Sequence, residues 1–233
     1  GQYTISSTSG TWSSVVCRGS NCNLSGVGTN EIKWGSPATW GGDKSGLLFT
    51  SQSESQSFNA GQTFLIGTLT HQNWPVTGDT AKNATLNVSL DFSNPELVTN
   101  PQFSYQFNIK ETSNGYSSYK NCPGFPSEQN STTPCDDVIT FPNAYGENSF
   151  TIGDIKYTLK IDGFQSQYQN GTVVQKFITE EEKNNVAYLV GHLSTQLVER
   201  PAVSIIKKVN GEDANTEPGI YIGQGDPVAF EYV

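Results

Sequence analysis

Apolar and polar residues alternate along most of this chain with the period of β-strands. Residues 84–92 (ATLNVSLDF) place Leu86, Val88, Leu90 and Phe92 on one face and Thr85, Asn87, Ser89 and Asp91 on the other. Residues 103–111 repeat this through Phe103, Tyr105, Phe107 and Ile109, and residues 155–161 through Ile155, Tyr157, Leu159 and Ile161. A period of two is what a half-buried antiparallel strand requires. Further strands are expected at 3–7, 11–17, 31–34, 47–50, 63–69, 138–141, 149–152, 173–178 and 186–197. Clusters of Gly, Pro, Asn and Asp such as SNPELVTNP mark turns between them. The one helical signal is a single turn at 179–184, where Thr179 is placed to cap. These elements predict an all-β fold, an antiparallel β-sandwich of jelly-roll type.

The last 33 residues carry a separate pattern. Residues 202–209 (AVSIIKKV) and 228–233 (VAFEYV) read as two strands, with Val228, Phe230 and Tyr232 on one face of the second. Two strands alone cannot bury such a face, so the last one is expected to pair with its own sheet or to enter a groove on another copy. Pro201 breaks the ladder before this pair. The expected division is a sandwich over 1–200 and a C-terminal β extension over 201–233.

Composition narrows the setting. A net charge of −9 over 233 residues argues against nucleic acid and anionic lipid as partners, and no apolar run approaches a membrane span. Charged residues make up only 15%, and Ser, Thr, Asn, Gln and Gly are abundant, which suits an extracellular surface. A chain that begins at Gly1 and has no methionine reads as a mature product freed of a signal peptide, or as a trimmed piece of a longer chain.

Four cysteines suggest two disulfides formed in an oxidising compartment. Of three connectivities, Cys17–Cys22 and Cys122–Cys135 is favoured because each pair brackets a turn-rich stretch. Zinc would need a tighter, repeated cysteine spacing. Asn23, Asn83, Asn87, Asn130 and Asn170 open Asn-X-Ser/Thr sequons, a number close to chance for so Asn-, Ser- and Thr-rich a chain. They are candidate glycosylation sites.

Little points to catalysis. The two histidines, His71 and His192, lie in no motif of a nucleophilic triad, metalloprotease or P-loop. His71, at the end of a strand in THQNWPV, reads as a structural histidine. The paired acids of a glycosidase are not evident: Glu111 stands alone, Asp136 and Asp137 are adjacent and so point to opposite faces, and residues 180–182 read as a solvated turn. The chain is therefore expected not to be an enzyme and to hold no metal centre. Calcium is the one ion that its loop carboxylates suit, Asp213 and Asn215 in NGEDANTE coming closest to a calcium loop. Trp12, Trp40, Trp74, Tyr116 and Tyr119 fall in or near turn-rich segments and are candidate sugar-stacking platforms.

Longer motifs carry a resemblance. EIKWGSPA (31–38), SGLLF (45–49), FNAGQTFLIGTLTHQNWPV (58–76), the strand from Ala84 to Val88, PCDDVITFP (134–142) and FTIGDIKYTL (150–159) occur in an order that resembles the bacterial choice-of-anchor K domain, over about residues 30–197. The tail from Ser204 is similar to the opening of immunoglobulin-like repeats in prokaryotic surface proteins. These resemblances imply a secreted protein of the cell surface or extracellular matrix, and they supply no catalytic residue. The expected function is a structural subunit that joins other copies of itself, head to tail, into a filament by strand donation. The donor would be the C-terminal strand, through Val228, Phe230 and Tyr232, or the N-terminal segment, through Tyr3 and Ile5. The alternative is a monomeric adhesion or carbohydrate-binding module of a larger surface protein.

Overall fold

A computed structural model describes residues 1–114, 135–141, 148–199 and 204–233. In chain order the strands are β1 (Gln2–Cys17), β2 (Glu31–Trp34), β3 (Ser36–Pro37), β4 (Ser45–Ser51), β5 (Gln56–Asn59), β6 (Phe64–Asn73), β7 (Val76–Thr77), β8 (Ala81–Asn94), β9 (Gln102–Lys110), β10 (Asp137–Thr140), β11 (Ser149–Ile152), β12 (Ile155–Gln165), β13 (Lys176–Thr179), β14 (Lys183–Leu197), β15 (Lys207–Val209), β16 (Glu212–Asp213) and β17 (Phe230–Tyr232). No helix occurs among the described residues. The chain divides into two compact units, Gly1–Leu197 and Val198–Val233.

The larger unit is the expected antiparallel sandwich. One six-stranded sheet runs β13-β10-β9-β8-β1-β5 and the other β11-β12-β14-β6-β4-β2. Its core is the apolar faces read from the sequence: Leu86, Val88, Leu90 and Phe92 of β8 and Phe103, Tyr105, Phe107 and Ile109 of β9 are all buried. Ile155, expected inward, is instead at the exposed start of β12, and the buried face there begins at Tyr157.

Two expected strands, 3–7 and 11–17, are one continuous strand, β1, with β8 on one side and β5 on the other. Register shifts around Ile5 and Ser7 move the buried positions from odd to even numbers, so Ile5 is buried and then Thr8, Gly10 and Trp12. A bulge inserts one residue and reverses which face the following side chains take. That reversal corrects the reading of Trp12 as a surface platform: it is fully buried, edge-on to Phe107.

The single helical turn expected at 179–184 is also corrected. Thr179 ends β13 in one sheet, and Glu181 and Glu182 make a tight turn into β14 of the other. Glu182 takes a positive φ of 61°, and the Thr179 side chain turns into the core instead of capping.

The smaller unit holds a three-stranded sheet, β16-β15-β17. The last strand folds back on β15, pairing Phe230 with Val209 and Tyr232 with Lys207. Val209 is buried, whereas Phe230 and Tyr232 are 64% and 68% exposed.

Candidate functional site

At one end of the sandwich the inward faces of three strands stop being apolar. On β6 the buried series Leu69, His71, Asn73 continues the alternation with polar groups. On β9 the series ending at Ile109 reaches Glu111 one step past the strand. On β10, Ile139 faces Ile109 across the ladder, so the same register sets Asp137 opposite Glu111. Asp137 in turn pairs with Thr179 of β13. One sheet thus contributes Glu111, Asp137 and Thr179, and the facing sheet contributes His71 and Asn73.

The groups interlock. Trp34 of β2, itself fully buried, donates from Nε1 to Glu111 Oε1 at 2.6 Å, and its ring stacks on His71 at 6.0 Å between centroids. His71 Nδ1 lies 2.8 Å from Thr179 Oγ1. Thr179 Oγ1 directs its own hydrogen toward the Asp137 carbonyl at 3.5 Å. The Thr179 contact holds the ring through Nδ1 and suits either neutral tautomer. Asn73 Nδ2 donates to Thr179 O at 3.1 Å. Asp137 Oδ1 accepts from the Thr112 amide at 2.6 Å and hydroxyl at 3.1 Å.

Ligand atoms of His71, Glu111 and Asp137 all lie within 4.8 Å of one another. His71 and Asp137 are 0% exposed. His71 Nε2, Asp137 Oδ2, Asn73 Oδ1 and both carboxylate oxygens of Glu181 are buried without a hydrogen-bond partner. Burial pushes the Glu111 carboxyl up to about 7 against the Trp34 hydrogen bond, the Arg18 charge and a hydrogen bond shared with Asp137. Burial, and then the charges of Glu111 and Glu181, push Asp137 well above the carboxylate range. Glu181 rises to about 8, chiefly by burial and then by the Glu111 charge, although the Asn73 and Asn114 amides nearby moderate it. Burial lowers His71 to about 3 and keeps it neutral. Such concentrated shifts mark candidate functional sites.

The sequence reading took His71 as structural, Glu111 as isolated and Asp136 and Asp137 as loop carboxylates. Both aspartates are fully buried, and Asp137 opens β10. A second cluster also went unread: His192 Nδ1 of β14 meets Asp162 Oδ1 of β12 at 2.6 Å, and Thr63 Oγ1 donates to Asp162 Oδ2 at 3.0 Å. Among the described residues no hydroxyl or thiol hydrogen-bonds the other nitrogen of His192.

Cys17 and Cys22 form a disulfide, a bond of oxidising compartments. Cys135 is also disulfide-bonded; its expected partner Cys122 lies outside the described residues, as do Asn130, Tyr116 and Tyr119. Asn23 and Asn170 are exposed. Asn83 and Asn87 are half-buried on the outer face of β8, where Asn83 hydrogen-bonds Asn108 and Asn87 Oδ1 accepts from Ser104 at 2.7 Å. Trp40 is fully exposed, and Trp74, half-buried, lines a cavity of about 390 Å³ with Thr39, Asp43 and Glu182. Tyr3 and Ile5 pair within their own sheet, Tyr3 against Phe58. Asp213 Oδ1 accepts from the Asn215 amide and Asn215 Oδ1 from the Lys207 amide, both at 2.9 Å, so both close a local turn. Among the described residues no helix is long and apolar enough to cross a membrane. In comparisons with known proteins, no family model matches the chain and no curated protein matches it.

Proposed function

We propose that this chain is a non-catalytic, extracellular building block, and that its C-terminal unit joins copies into a filament by strand addition. The observation that carries this reading is the exposed apolar surface of that unit. Ile205, Tyr221, Phe230, Tyr232 and Val233 are each more than 60% exposed, and β16 and β17 are the open edges of its sheet. Strands with free backbone groups and exposed apolar side chains are the ordinary substrate of β-augmentation. A head-to-tail contact of this kind generates open fibres. The N-terminal segment is the weaker donor, because β1 already has a neighbour on both sides and Ile5 is fully buried. A disulfide-bonded sandwich of low charge, and the resemblance to surface-protein domains, suit an extracellular setting.

A second reading is favoured by two specific observations: β17 folds back on β15, and the fully exposed Trp40 stands beside the Trp74 cavity. Together they suit a monomeric module that stacks a sugar on Trp40. Negative-stain electron microscopy of the whole chain and of a Phe230→Ser/Tyr232→Ser variant separates the two. Fibres that the double substitution abolishes are the expected outcome. Monodisperse particles in both samples would sink the filament, and loss of glycan-array binding in Trp40→Ala would then establish the module.

A further inference from the structure

We propose that His71, Glu111 and Asp137 bind one divalent transition-metal ion, of the zinc or manganese class, that clamps the two sheets of the sandwich together. The argument begins with hydrogen-bond accounting. Buried polar atoms are nearly always paired, yet Nε2 of His71 and Oδ2 of Asp137 are unpartnered on residues with no exposed surface. Both residues belong, with Glu111, to a cluster whose ligand atoms lie within 4.8 Å of one another. Asn73 Oδ1 adds a further unpartnered acceptor. The carboxylate and amide oxygens offer lone pairs, as does Nε2 in the tautomer that carries its proton on Nδ1, and a cation is the kind of group that satisfies many acceptors at once.

Geometry and donor chemistry set the class of ion. Donors about 2.0–2.2 Å from a shared ion stand roughly 3–4 Å apart, so the cluster needs to contract by only about 1–1.5 Å. One imidazole nitrogen with carboxylates suits zinc or manganese better than calcium or magnesium, which take oxygen ligands. The surrounding bonds are those expected around a metal centre. Thr179 holds the His71 ring through Nδ1, leaving Nε2 as the nitrogen without a protein partner. Trp34 orients Glu111 and Thr112 orients Asp137.

The placement gives the ion a structural task. His71 belongs to β6 in one sheet, while Glu111 follows β9 and Asp137 opens β10 in the other. An ion here would bridge the layers at an end where apolar packing gives way to polar groups. This inference is independent of whether the chain forms filaments.

The test is elemental analysis of the full chain, purified without chelator, together with its thermal unfolding. We expect about one zinc or manganese per chain, and a rise in Tm of about 5–10 °C over the chelated protein at metal concentrations near 100 times the Kd. Glu111→Gln and Asp137→Asn should each lose the metal and the chelator response. Should Asp137→Asn fail to fold, Glu111→Gln carries the comparison, because glutamine still accepts from Trp34 Nε1. Without metal, Glu111→Gln should be at least as stable as the parent, since it removes one of two facing carboxylates; with metal, the order should reverse. A parent chain that purifies metal-free, and whose Tm added zinc and manganese leave unmoved, would overturn the proposal and leave carboxylic acids sharing protons. Calcium bound in place of zinc or manganese would overturn the assigned class of ion.

Discussion

Trp34 shows how one side chain can hold two others. Its ring lies along His71 while its N–H reaches Glu111, so imidazole and carboxylate are both fixed by a single buried residue. Hydrogen bonds to ionised groups are the stronger kind, and Trp34→Phe should cost about 1.5–3 kcal/mol near pH 8. Once Glu111 is protonated the cost should shrink, so urea denaturation at pH 8 and pH 5 checks it. An equal loss at both would assign the effect to ring volume alone. Glu111 itself was within reach of the sequence: the inward series Phe103, Tyr105, Phe107 and Ile109 extends by one step to position 111. What the sequence could not supply was its company. Asp137 arrives through a strand register and His71 from another sheet, and neither relation is local.

Elements whose two faces differ in polarity were read with little loss, as β8 and β9 show. Where the alternation changes phase the reading failed, and β1 is the clearest case. A bulge near Ser6 turns Trp12 inward, and nothing in TISSTSGTW marks the extra residue. Glycine marks another demand in the same strand. A Cβ on Gly10 would stand 2.4 Å from the ring of Phe49 on β4, and one on Gly67 of β6 would stand 2.3 Å from it. The ring therefore lies between the two sheets in a slot that only glycine leaves open. Gly10→Ala should cost about 1–3 kcal/mol by overpacking, measured by urea denaturation. Combining it with Phe49→Leu should recover part of that loss, and strictly additive losses would show that the ring is not the obstacle. The turn between β13 and β14 was misread for a related reason. TEEEKN has the composition of a helical turn, but it carries the chain from one sheet to the other, a tertiary requirement that overrides local preference.

For the molecule as a whole, the buried acids set a pH profile. In the chelated protein Glu111, Glu181 and Asp137 all have raised pKa values. Their contribution to stability is complete below the ordinary carboxylate range and is lost as pH rises through about 7 to 8. His71, lowered to about 3, acts in the opposite sense below its ordinary value near 6.5. Three carboxyls outweigh one imidazole between pH 5 and 6.5, and above that only the carboxyls change. Chelated protein should therefore lose stability between pH 5 and pH 8.5, read as a falling Tm by calorimetry. A flat profile would mean that water reaches the acids. The pairing of β1 bears on how this shape is reached. Its ladder with β8 joins Trp12 to Leu86 and Thr4 to Asn94, so β1 waits for a partner made some eighty residues later. Pairings so remote in sequence form slowly. During synthesis β1 thus stays a loose thread along most of its length until β8 emerges to lock it into the sheet.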